Sequence, residues 1–179
     1  MNKDEYKDLV TKTNSGALLI GIDRAIARKF YTDIPLSKIE AETGEAPYFE
    51  KMIVWSAYLA APIALLTSFV LAVFAFRWWA VLAIPLSIAV YFVYSGQSSM
   101  PSRGMLGISL LLALASGILF TDFLNLPFVT WYAFSIVLAL WASRLVYCAS
   151  TALLRAFVSR NIRAFDFMSE HIHMREAGN

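Results

Sequence analysis

The chain has 179 residues, 59% of them hydrophobic, with a mean hydropathy of +0.60 and a formal net charge of +2. Soluble domains hold about 45–50% apolar and about 25% charged residues; here charged residues make up 16%, and the apolar excess comes in blocks too large for a soluble core. The single cysteine, Cys148, excludes an internal disulfide and a cysteine-only metal cage, and is expected to be a buried, inert thiol.

Residues 1–51 are mixed in charge. The first apolar run, residues 16–22, ends in Asp23-Arg24 and does not have the pattern of a secretory signal. Ser15 is placed to cap a helix over residues 16–31. In that helix Leu19, Ile22, Ile26 and Phe30 share one face, away from Asp23, Arg24 and Arg28. Ser37-Lys38-Ile39-Glu40 matches a capping box and predicts a short second helix that breaks at residues 43–47. Glu40, Glu42, Glu45 and Glu50 read as a solvated acidic face.

Residues 52–76 carry no charge, and neither do residues 78–95. At about 1.5 Å per residue each is long enough for a hydrocarbon core of about 30 Å, and the two joined as one helix would be about twice too long. A turn is therefore expected near Arg77. Residues 96–104 are rich in Gly, Ser and Pro and form a loop. Residues 105–122 make a third span, with Asp122 solvated at its outer edge. Residues 126–147 make a fourth, opening at Pro127, where a missing N–H costs nothing, and stopping near Arg144. In the tail, residues 148–179, Leu154, Phe157, Val158, Ile162, Phe165 and Met168 keep helical spacing, with Arg155, Ser159 and Arg163 on the other side. This predicts a basic amphipathic extension of the last span.

The expected fold is thus all-α: a polytopic four-helix transmembrane bundle with amphipathic cytoplasmic helices at both ends. Every basic residue but Arg77 falls on one side of this scheme. Lysine and arginine resist translocation, so both termini are expected in the cytoplasm, at a bacterial inner (plasma) membrane. Aromatic residues agree, with Trp78, Trp79, Trp131 and Tyr132 at one interface and Trp55, Tyr58, Tyr94 and Trp141 towards the other.

The membrane interior holds no Asp, Glu, Lys, Arg or His, since Asp122 and Arg144 fall towards span ends, and this counts against ion-coupled carriers, proton relays and voltage sensors. His171 and His173 lie in the tail, two residues apart, and do not face each other on a helix. No phosphate loop, nucleophile elbow or zinc-protease motif occurs. The expectation is no enzyme activity, no cofactor, no metal and no nucleic-acid partner. What does recur is a row of small residues at fourfold spacing: Ser56, Ala60, Ala64, Ser68 and Ala72 in the first span, Ser109, Ala113 and Gly117 in the third, and Ser135 and Ala139 in the fourth. Small side chains let helix backbones approach within lipid. An i+4 row drifts about 40° per step, so it winds round its helix.

The function expected from these features is a non-catalytic membrane subunit that anchors or scaffolds a larger assembly. Its partners are the lipid bilayer and other membrane subunits or further copies of itself. Cytoplasmic contacts to a partner or to lipid fall on Leu19, Ile22, Ile26, Phe30, Arg155, Arg163 and Phe165. The alternatives are an oligomeric pore-type effector and a small inhibitor or immunity-type protein.

Overall fold

The computed structural model describes residues 2–95, 117 and 127–176. The expected loop at 96–104, all of the third span but Gly117, Asp122 and the following turn lie outside these residues. The described chain is mostly helical: α1 (Lys3–Asn14), β1 (Leu18–Ile22), α2 (Arg24–Thr32), α3 (Leu36–Thr43), α4 (Tyr48–Phe76), a 3-10 turn (Arg77–Trp79), α5 (Ala80–Ser95), α6 (Pro127–Arg160), α7 (Ile162–Met168) and β2 (Ile172–Glu176). It divides into two compact units. One joins Met1–Trp55 with Tyr147–Asn179, and the other is Ser56–Val146.

The first unit corrects the all-α expectation. β1 and β2 pair antiparallel, with Leu19 opposite Arg175 and Ile22 opposite Ile172. The single helix expected over residues 16–31 is replaced by this strand followed by α2. Gly16, in the left-handed region at φ 75°, ends the turn after α1, and Asp23 caps α2 by accepting from the backbone N–H groups of Ala25 and Ile26. Leu18-Leu19-Ile20-Gly21-Ile22 suits a strand once a partner is present; that partner lies at the far end of the chain. The capping box at Ser37–Glu40 is also corrected. The short helix exists, but it starts at Leu36 behind Pro35 with no side-chain cap, and Gly44 closes it at φ 71°.

The core of this unit is drawn from both ends of the chain. Ile20, Ile22, Phe30, Tyr31 and Ile39 from the front are buried with Leu154, Phe157, Val158, Phe165 and Met168 from the tail. The Tyr6 hydroxyl donates to the Val158 carbonyl at 2.8 Å, and the Tyr6 ring meets Phe165 edge-on. Segments of about 50 and about 30 residues are each too small to bury a core alone; here they share one.

In the second unit, α4 ends where the turn was expected. Arg77 adopts φ 49°, which breaks the helix before α5 restarts at Ala80. α6 opens at Pro127 as expected and runs past Arg144, where the apolar run ends, to Arg160 as one helix of 34 residues, so the tail begins as the expected extension of this helix. Its end belongs to the first unit. Tyr48–Val93, interrupted at the 3-10 turn, and Pro127–Arg160 are long and apolar enough to cross a membrane by length and composition. Only 22% and 33% of their most apolar stretches are buried within the chain.

Candidate functional site

The polar chemistry of the first unit centres on Glu50, at the start of α4. It is 8% exposed, so its charge needs partners. The Tyr31 hydroxyl donates to Oε2 at 2.9 Å, and the Arg160 guanidinium pairs with Oε1. Burial raises the pKa of Tyr31 far above its usual range. The neighbouring Glu50 anion and the hydrogen bond to it push the same way, and Arg160 opposes them. Arg160 also lies over the Phe157 ring, 5.5 Å from its centroid. Three elements, α2, α4 and the end of α6, are thereby tied at one buried carboxylate. This departs from the solvated face expected of the four glutamates: Glu40, Glu42 and Glu45 are exposed, but Glu50 is not. Its sequence signal was its place against the apolar run, next to where a helix enters a core.

Two further links use the same logic. Arg28 Nη1 donates to the Tyr147 hydroxyl at 2.9 Å, and the guanidinium lies over that ring, while its Nε is buried without a hydrogen-bond partner. Asn161, 7% exposed, accepts from the Arg163 and Ala164 backbone N–H groups to cap α7, and its side-chain amide donates to the Thr43 carbonyl at 3.2 Å.

At the foot of α4, Leu36, Tyr48, Lys51, Met52 and Trp55 line a shallow apolar pocket of about 320 Å³. Lys51 Nζ donates to the Ile34 carbonyl, and Trp55 Nε1 donates to the Tyr31 carbonyl at 3.2 Å. Burial lowers the Lys51 pKa.

Within the second unit, the small residues of α4 sort by helical phase. Ala57, Ala61, Ala64, Ser68 and Ala72 are buried. Of the expected row, Ala64, Ser68 and Ala72 lie on that stripe; Ala60 is half-buried and Ser56 exposed. Ser56, Ala60 and Ala64 instead line a groove of about 450 Å³ facing Trp131, Phe134, Ser135 and Leu138 of α6. Ser135 and Ala139 are buried. The hydroxyls of Ser68, Ser87 and Ser135 each turn back to a carbonyl of their own helix. The Tyr132 hydroxyl donates to the Ala83 carbonyl at 3.0 Å and lies 2.6 Å from the Ser87 hydroxyl, while its ring meets Phe76 edge-on. A side chain at Gly117 would meet no atom within 4 Å beyond its chain neighbours and its own helix backbone; Ser109 and Ala113 lie outside the described residues.

The residues expected to make cytoplasmic contacts separate likewise. Ile22, Phe30 and Phe165 are buried in the first unit, Ile26 is half-buried, and Leu19, Arg155 and Arg163 are exposed. Cys148 is exposed, against the expectation of a buried thiol, because it falls on the outward side of α6 between Val146 and Ser150, which are buried. No group of three or more His, Cys, Asp or Glu side chains suited to a metal occurs among the described residues. No family model, curated protein or solved structure matches this chain.

Proposed function

We propose that this chain is an integral membrane protein with four spans and cytoplasmic ends, acting without catalysis as a subunit that anchors or scaffolds a larger membrane assembly. The observation that carries the membrane part is an inverted distribution of side-chain size. Within the second unit the buried stripe of α4 is alanine and serine, whereas Ile63, Leu66, Val70, Val73 and Phe74 are exposed. Water drives large apolar groups inward. A lipid solvent does not, and it leaves the interior to small residues that let helices approach. Tyr58 and Trp78, both exposed, are twenty residues apart, about 30 Å along a helix, which matches the spacing of two membrane interfaces.

The shared first unit supports an even number of crossings. The chain leaves this unit after Trp55 and rejoins it at Tyr147, so both ends lie on one side of any membrane crossed between them. Fourteen of the basic residues in the four-span scheme then share that side, which is the cytoplasmic one.

The scaffold part rests on the groove between α4 and α6, whose small-residue floor and aromatic rim suit a further helix. A pore reading is less well supported, since the buried serines of the second unit spend their hydroxyls on their own helices. Gentle detergent extraction from the native host, followed by identification of co-purifying chains, tests the proposal. Stoichiometric subunits are expected, released by Ala60→Leu or Ser135→Leu while the chain stays inserted. A chain that elutes alone and is indifferent to both substitutions refutes the subunit role.

A further inference from the structure

We infer that the pocket formed by Leu36, Tyr48, Lys51, Met52 and Trp55 holds one anionic phospholipid, with its phosphate on the Lys51 ammonium and its upper acyl carbons against Met52 and Trp55. The inference rests on the membrane reading and deepens it. An ammonium has three donors, and Lys51 spends one on the Ile34 carbonyl. The adjacent carboxylate, Glu50, is turned to Tyr31 and Arg160. Among the described residues no carboxylate lies within ion-pair distance of Lys51. The cation therefore stands uncompensated at the rim of an apolar pocket, partly stripped of water, which is the condition an anion relieves. The walls are amphiphilic in the matching sense. Tyr48 and Met52 are exposed, and the Trp55 indole is held by its bond to the Tyr31 carbonyl. Lys51 is also the last charge before residues 52–76, the depth at which a headgroup meets the acyl region.

Trp55 is the reporter. In a variant with Trp78, Trp79, Trp131 and Trp141 replaced by Phe, reconstituted in nanodiscs that mix phosphatidylcholine and phosphatidylglycerol, bromine is carried on the acyl chains of one lipid at a time. Brominated phosphatidylglycerol is expected to quench Trp55 as though enriched about fivefold at the site. Lys51→Gln should abolish that preference and Lys51→Arg should keep it, with excess inorganic phosphate having no effect. Equal quenching by the two lipids in the parent, or a preference erased by inorganic phosphate, overturns the site while leaving the membrane reading intact. If neither lipid quenches Trp55, nor Trp78 in a parallel single-tryptophan variant, the membrane reading itself has failed.

Discussion

A carboxylate at 8% exposure is tolerable only while its hydrogen bonds hold, and Glu50 depends on Tyr31 and Arg160. Tyr31→Phe removes one donor and leaves Oε2 unsatisfied, at a cost of about 1–3 kcal/mol, readable as a lower unfolding temperature in mild detergent. The same residue sets a pH dependence. Its folded pKa is raised from an ordinary value of 10.0 by burial and by the Glu50 anion. The stabilisation is therefore complete below pH 10 and is lost as pH rises above it, because the unfolded chain ionises first. Tyr6, raised by partial burial and by Glu45, acts in the same direction. The lowered Lys51 value acts oppositely, but its effect is complete by its ordinary 10.5. The parent should lose stability steeply above pH 10.5, and Tyr31→Phe should flatten that fall. A variant as alkali-sensitive as the parent would remove Tyr31 as the source.

Elements in this chain end where a single residue decides it. Asn161 stops α6 from running on into α7, caps the new helix and holds Thr43. Asn161→Ala should cost about 1–2 kcal/mol from the cap alone, and more once the Thr43 carbonyl loses its donor. Asn161→Asp, which keeps the cap acceptor but not the amide donor, should fall between the parent and the alanine variant in chemical unfolding. The phase of α4 is open to a similar comparison. Ala61 is 3% exposed and Ala60 half-buried. Ala61→Leu overpacks the stripe and should cost about 1–3 kcal/mol, whereas Ala60→Leu extends into the groove and should cost much less. Equal losses in detergent unfolding would mean that the stripe is not the packed face. The fourfold row of small residues was legible in the sequence, but not which member of each neighbouring pair faces inward, since a row of exact period four drifts off any one face.

At the scale of the molecule, the ribbon of β1 and β2 joins residues near opposite ends of the chain. Leu19 and Arg175 are register partners. Paired strands place such Cα atoms about 4.5–5.5 Å apart, within the span of a disulfide. Leu19→Cys with Arg175→Cys, in a Cys148→Ser background, should cross-link within one chain on mild oxidation in native membranes. Failure to cross-link with both thiols reactive to maleimide would contradict the ribbon and, with it, the argument for an even number of crossings. At about 50 residues the front segment is too short to bury a core without help. The help comes from the chain's own tail, so a truncation that removes β2 should make residues 18–22 sensitive to protease.

Local composition is enough to specify the long apolar helices, their break at Arg77 and the start of α6 at Pro127. Each depends on local composition, on a charge that interrupts an apolar run, or on the geometry of proline. The sequence also makes legible the amphipathic spacing of Leu154, Phe157, Val158, Phe165 and Met168 without saying what that face meets. Packing in three dimensions makes Leu18–Ile22 a strand and not the middle of a helix, buries Glu50, exposes Cys148, and joins the two ends in one unit. The physical reason is common to all four. A strand needs a partner edge, a buried carboxylate needs a donor, and a helix face is inside or outside according to what packs on it. Here the partner strand of β1 and the Arg160 donor to Glu50 lie more than a hundred residues away in sequence, beyond the reach of any local pattern.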